Sequence, residues 1–185
     1  MKDINKSLKL WLEEIDQFEL TKYEQLPDID LYMDQMLTYL ERQLNTFAIS
    51  SLDKQITSSM INNYVKGDCI PSPISKKYNK EHIALILQIC LLKRATNISD
   101  IKQMLDAIYQ NADFLETYND FADKATQTLH QISKETLEKL ESIESNNQNE
   151  LLRLALELSL IANTNMLIAN RIIRYIEIQN DLKNE

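Results

Sequence analysis

One glycine, Gly67, and three prolines, Pro27, Pro71 and Pro73, are all the helix-breaking punctuation in 185 residues. A typical protein is about 7% glycine and about 5% proline. Sandwiches and barrels turn every 8–12 residues or so, usually on Gly, Pro, Asn or Asp. A chain so poor in glycine is therefore not all-β, and a Gly-rich phosphate loop is excluded. The expected fold class is all-α. With 44% hydrophobic residues a core can form, and one domain or two small ones fit the length.

The longest apolar run, Ile83 to Leu92, is interrupted by Gln88 and falls short of the roughly 18–20 residues of a membrane span, so no membrane partner is expected. Glu13 and Glu14 end the Leu8–Leu12 patch too early for a signal peptide. Cys69 and Cys90 make neither a disulfide framework nor a metal-ligand spacing, which fits a reduced, cytoplasmic protein.

The net charge of −8 is unevenly spread. From Asp53 to Lys102 eight bases face four acids, a local +4, and the remainder carries twelve bases against twenty-four acids, −12. A basic centre between acidic flanks leaves a nucleic-acid partner open where a uniformly acidic chain would not.

Apolar spacing of three and four residues predicts a series of amphipathic helices. Leu8, Trp11, Leu12, Ile15 and Phe18 mark the first, over residues 4–20. After Pro27 a second is expected through Ile29, Met33, Met36, Leu37, Leu40 and Leu44, with Asp28 as its N-cap. Asn45 to Asp53 reads as a loop, and a short helix runs from about Thr57 to Lys66, stopping at Gly67-Asp68. Pro71 and Pro73 keep Cys69 to Lys77 extended or turned. Asn79 caps a helix that buries Ile83, Ile86, Leu87, Cys90 and Leu91, and Ser99 is expected to cap another over Asp100 to about Tyr109. Asp113 opens a long pattern through Phe114, Tyr118, Phe121, Ala125, Leu129, Ile132, Thr136, Leu140 and Ile143. A polar break at 145–149 then leads into Ala155, Leu158, Ala162, Met166, Ala169, Ile173 and Ile176, so the C-terminal third is expected to be a helical hairpin.

Within Thr57 to Lys66 the residues sort into two stripes. Ser59, Asn62, Asn63 and Lys66 fall at i, i+3, i+4 and i+7, and Met60, Ile61, Tyr64 and Val65 fall opposite. Asn can bond N6 and N7 of adenine in a major groove, and Ser or Lys can reach phosphates or base edges. A polar stripe alone is also what any surface helix presents.

The order of segments is more specific. The run from Met60 to Pro71 (Met-Ile-Asn-Asn-Tyr-Val-Lys-Gly-Asp-Cys-Ile-Pro) resembles the second helix and exit of the MerR-type winged helix-turn-helix, where a Thr-Leu-Arg-Tyr-Tyr core precedes a Gly-Leu-Ile-Pro turn. The run from Lys76 to Ile83 is similar to that family's wing closing on the next helix, and Asn97 to Leu105 to its following Gly-Phe-Ser segment. Leu26 to Leu105 also resembles a bacterial family known as domain of unknown function 1836, on Leu26–Gln35, Met60–Lys66 and Tyr78–His82. The resemblance implies a MerR-like DNA-binding fold. Carried over, Tyr64 matches the second tyrosine of the core and Tyr78 the wing tyrosine, expected to hold or contact the DNA backbone. Asn62 stands at the family's arginine position, the turn glycine falls at Asp68 with Gly67 one place early, and the wing, Ser72 to Lys77, is short.

Catalytic signals are missing. His82 and His130 belong to no His-Glu-x-x-His motif, no nucleophile–base pair is evident, and Cys69 reads as a free thiol before a redox sensor. No enzyme activity, cofactor or metal is expected. Beyond the hairpin's main stripe, Leu154, Leu156, Leu160, Ile161, Leu167 and Ile168 make the last helix apolar nearly all round, which asks for cover from several sides. Asn163 and Asn170 stand seven apart, as register-setting amides do in coiled coils.

The expected architecture is an N-terminal amphipathic helix (1–25), a MerR-like winged helix-turn-helix (26–110) and a C-terminal helical pair (111–185). The expected function is a dimeric regulator of transcription that binds double-stranded DNA through Ser59, Asn62, Asn63, Tyr64, Lys66, Lys76, Lys77, Tyr78 and Lys80. The homodimer is expected to form through Leu158, Ala162, Asn163, Met166, Asn170 and Ile173. The alternative is a helical adaptor, for protein partners or a small-molecule effector, that keeps the helix-turn-helix as scaffold.

Overall fold

The computed structural model describes residues 3–47, 56–110 and 112–184. Among these the chain is helical, with one two-stranded sheet. It divides into two compact units, Glu19–Ala125 and the pair of segments Met1–Phe18 and Thr126–Glu185. The N-terminal helix, expected to stand by itself, therefore belongs to the same unit as the C-terminal helices.

The unit Glu19–Ala125 is organised by the helix Lys80–Leu92, labelled α4 in chain order. Its Ile83, Ala84, Ile86, Leu87 and Ile89 are all fully enclosed. A helix apolar on every side needs neighbours on every side. α2 (Met33–Leu44) and α5 (Ile98–Tyr109) both pack on it, and α2 also contacts α3 (Ser58–Lys66). The one amide inside α4, Gln88, is buried and accepts a hydrogen bond from the Tyr109 hydroxyl at 2.9 Å. Burial pushes that phenol up to about 12. At the far edge of the unit the buried Tyr118 hydroxyl donates to the Thr21 carbonyl at 3.1 Å.

Local chemistry sets the helix ends. Thr57 Oγ1 accepts from the Met60 N–H to start α3. Asn79 Oδ1 accepts from the His82 N–H at 3.1 Å, while His82 Nδ1 accepts from the Asn79 N–H at 3.2 Å. The two residues thus cap α4 reciprocally. α5 begins on Asn97, not Ser99 as expected. Asn97 Oδ1 accepts from the Asp100 N–H at 2.9 Å, and its amide donates to the Asp100 carboxylate. The one side chain thus satisfies an unpaired helix N–H and a carboxylate together.

The second helix starts later than its pattern suggests. Asp28 is not its N-cap, and Ile29 is 71% exposed outside any helix. Leu31–Tyr32 forms a strand, β1, paired antiparallel with β2 (Lys77–Tyr78), Leu31 opposite Tyr78 and Tyr32 opposite Lys77. β2 closes a tight turn in which Ile74 and Lys77 exchange both backbone bonds, at 2.9 and 3.1 Å. Ser75 (φ 52) and Lys76 (φ 65) occupy its centre, the arrangement of a type I′ hairpin.

In the second unit α1 (Ile4–Ile15) buries Leu12 and Ile15, but Trp11 is half exposed. Asp3 caps α1 through the Lys6 N–H. Ile4 N donates to Asn146 Oδ1 at 3.0 Å, and Asn146 N to Asn5 Oδ1 at 3.1 Å, tying α1 to the turn before the last helix. α6 (Phe114–Glu141) belongs to the Glu19–Ala125 unit up to Ala125 and to this one from Thr126; it opens on Asp113, as expected, with the Glu116 N–H on Asp113 Oδ1. Tyr118, Thr136 and Leu140 of the expected stripe are buried, but Ser133 faces inward in place of Ile132, which is exposed. α7 (Gln148–Asn184) is the longest element, and Gln148–Gln179 is long and apolar enough, by length and composition, to cross a membrane. The expectation that no segment reaches that length rested on unbroken apolar runs, and polar residues break each run of this helix without making it charged through its middle.

α3 ends in a hydrogen-bonded exit: the Cys69 N–H bonds the Tyr64 carbonyl at 2.8 Å and the Asp68 N–H the Val65 carbonyl at 3.1 Å. This is a Schellman arrangement, and its left-handed residue is Asp68 (φ 53). Gly67 has φ −89, and a Cβ there would stand 3.3 Å from the Asn63 carbonyl oxygen. Asp68→Gly is expected to stabilise the protein by about 0.5–1 kcal/mol, read as a rise in the urea midpoint, since glycine adopts that backbone without a Cβ penalty. Gly67→Ala lowers it. The reverse order contradicts this assignment of the turn. Burial also holds both thiols in their neutral form: Cys69 lies above its ordinary value and Cys90, inside α4, is pushed up to about 11. At pH 8 only about one Cys90 in a thousand is thiolate, so alkylation of the folded chain is expected to be far slower than of the urea-unfolded chain.

Candidate nucleic-acid interface

α3 is short, capped at both ends and divided by its packing. Ile61 and Tyr64 are buried, and Met60 and Val65 half-buried, so the helix is held on that side. Ser59, Asn62, Asn63 and Lys66 are all exposed. The stripe therefore presents two amides, a hydroxyl and one ammonium with none of the unit's described residues over it.

Two of the expected contacts lie elsewhere. Tyr64 and Tyr78 are 5% and 3% exposed and belong to the core. Desolvation pushes the Tyr64 phenol up to about 12, and the Tyr78 ring meets His82 edge-on at 5.5 Å. Their packing holds α3 and β2 in place, which removes both rings from an outward contact surface. Tyr64 sits one turn from Ile61 on the apolar stripe, and Tyr78 alternates inward from Lys77 along the strand.

The three lysines of the turn differ in their surroundings. Lys76 is exposed at the hairpin tip and has no ion pair among the described residues. Lys77 Nζ lies 5.2 Å over the Tyr32 ring, a cation–π contact that fixes its stem. Lys80 Nζ pairs with Asp28, lies 3.4 Å from the Glu24 carbonyl and 5.4 Å from the Tyr23 ring. Lys80 is thus engaged within the chain. Tyr32 is half exposed beside Lys77 and was hidden from sequence reasoning, because a two-residue strand has no periodicity to separate it from the helix that follows.

Beside the exit of α3 lies an open cleft of about 290 Å³ lined by Cys69, Ile70, Leu85, Leu105, Tyr109 and Phe114, with Tyr109 and Phe114 stacked at 4.5 Å. No group of three His, Cys, Asp or Glu able to hold a metal exists among the described residues. His82 caps α4, and His130 Nε2 meets the Phe18 carbonyl at 2.8 Å.

The residues expected at a dimer contact are only partly accessible. Ala162, Asn163 and Met166 are exposed on α7, and Leu158 and Asn170 are half-buried. Asn170 Oδ1 is enclosed without a hydrogen-bond partner. Ile173 is buried within its own chain, so it is not free for a second one. Large apolar side chains are exposed nearly all round α7: Leu152, Leu156, Leu160 and Leu167 along one stripe, and Ile161, Met166, Ile168, Ile172, Tyr175, Ile176 and Ile178 off it.

No curated protein and no solved structure matches the chain. The model of one family, described as a domain of unknown function (DUF1836), matches residues 21–124, which is nearly the whole of the Glu19–Ala125 unit. That match covers more than half of the sequence, and the chain belongs to the DUF1836 family.

Proposed function

We propose that the protein is a cytoplasmic, dimeric DNA-binding regulator whose Glu19–Ala125 unit works as a MerR-like winged helix-turn-helix. The observation that carries this reading is the complete exposure of the Ser59, Asn62, Asn63 and Lys66 stripe on a helix anchored by its opposite face. An α-helix enters the major groove with such a face, where paired amides read adenine. The order of elements supports it: α2 contacts α3, α3 leaves through Asp68, and a tight hairpin then pairs back onto β1. Asp68 takes the left-handed backbone at the position where the resembling family has its turn glycine. On this reading Lys76 and Lys77 reach phosphates, Tyr32 flanks them, and Lys80 joins them only by giving up Asp28. No catalysis is assigned.

The second reading, an adaptor or effector-binding scaffold, draws on the Lys80–Asp28 pair and on the cleft beside Cys69. Both readings keep the same fold.

Fluorescence anisotropy on genomic fragments separates them. The wild type is expected to bind with an affinity that falls steeply with salt, and the Lys76→Ala/Lys77→Ala/Lys80→Ala variant to lose about 0.9 from the log–log slope for each phosphate contact removed. Asn62→Ala or Asn63→Ala is expected to cost about 1–3 kcal/mol on the preferred sequence and much less on others. Absence of binding at low salt by the wild type contradicts the DNA reading.

A further inference from the structure

The described residues of its own unit leave one face of α7 open. Leu152 (68%), Leu156, Leu160 and Leu167 (67%) are all more than half exposed. With Asn163 between Leu160 and Leu167 they follow one another at steps of four, four, three and four, one continuous stripe along the helix. Leu154, Leu158 and Ile173, which α7 turns inward, lie off this stripe. An apolar face of this length on a protein surface marks a contact.

Charge and polarity along α7 choose the occupant. Between Glu157 and Arg171 the helix carries no charge over residues 158–170, about 20 Å at 1.5 Å per residue. The hydrocarbon core of a bilayer is about 30 Å thick, so this stretch is short for it. Asn163, Thr164 and Asn165 also stand at its middle, where lipid offers amides no partners. A protein surface fits better than a membrane.

The sequence then picks out a second copy of the same helix. Glu157 and Arg171 stand seven residues to either side of Thr164 and fourteen apart, which puts both on the same edge of the leucine stripe. In a parallel pair the same edge of the two copies falls on opposite sides of the seam, so Glu157 and Arg171 meet neither their counterparts nor each other. An antiparallel pair centred near Thr164 sets each Glu157 against the other copy's Arg171, twice by symmetry. The same centre brings Leu160 of one copy beside Leu167 of the other and the two Asn163 amides within mutual reach, and an amide both donates and accepts. Both charges are at the surface: Glu157 Oε1 is held 2.6 Å from Lys139 Nζ, and Arg171 lies along the Tyr175 ring.

We propose that α7 pairs antiparallel with α7 of a second copy through Leu152, Leu156, Leu160, Asn163 and Leu167, in a register set by Glu157 and Arg171. This deepens the dimeric part of the proposed function and does not depend on α3 binding DNA.

Sedimentation equilibrium of the full chain tests it. The wild type is a dimer, and Leu160→Glu/Leu167→Glu is a monomer whose circular dichroism retains the helical signal. Glu157→Arg and Arg171→Glu each raise the dimer dissociation constant at least about tenfold, and the double exchange restores it. Single exchanges without effect on the dimer overturn the antiparallel register, since a parallel pair leaves Glu157 and Arg171 on opposite sides of the seam. A monomeric wild type, or one that floats with phosphatidylcholine–phosphatidylglycerol vesicles, overturns the pairing. A dimer indifferent to DNA overturns the α3 reading alone, and a monomer that binds DNA overturns only this one.

Discussion

Enclosure of α4 is the constraint on which the Glu19–Ala125 unit depends. Burying an aliphatic side chain stabilises by about 1.5–3 kcal/mol relative to exposure, and α4 buries Ile83, Ile86, Leu87 and Ile89 together. Such a helix is insoluble without its neighbours, so α2 and α5 must pack on it before the unit is stable. That requirement fixes two other features. Gln88, carried inside with the aliphatics, needs a partner and has Tyr109. The segment entering α4 must also arrive in one geometry, and the reciprocal Asn79–His82 cap holds it there directly after β2.

α3 has the opposite character. It touches the core through Ile61 and Tyr64 and leaves every polar residue of its other face to solvent. Its ends rest on local bonds, Thr57 at the start and the Asp68 turn at the finish, so a nine-residue helix holds its orientation without a large buried area. Such an element suits a reading surface, since its outer side chains vary without cost to the core. The hairpin differs again, because Lys77 and Lys80 are partly committed to Tyr32 and Asp28. Electrostatic contact with a polyanion from this side therefore competes with contacts already made.

Most helices were legible because a 3.6-residue apolar period reports directly on a buried face. The Asn79 cap and the stop at Gly67-Asp68 could be read from side-chain chemistry alone. Other features depend on what lies across from the residue. Ile29 fits the helical spacing of Met33 and Met36, yet β1 pairs with a strand more than forty residues away and takes its place. Asn97 and Ser99 are both good caps, and the choice falls to the Asp100 carboxylate that Asn97 also bonds. Tyr64 and Tyr78 were expected at contact positions only through the resemblance, but a ring on an apolar stripe packs inward. On α7 the periodicity marked a stripe through Ile173 and could not tell a stripe covered by its own chain from one left open.

DNA recognition by the Glu19–Ala125 unit is the central proposal. Selection of bound fragments from a genomic library by the full chain, followed by sequencing, measures it without a guess at the target. An enriched, two-fold-related pair of half-sites spaced by about one helical turn or a multiple of it is expected. Recovered fragments that match the input library at low salt would contradict it.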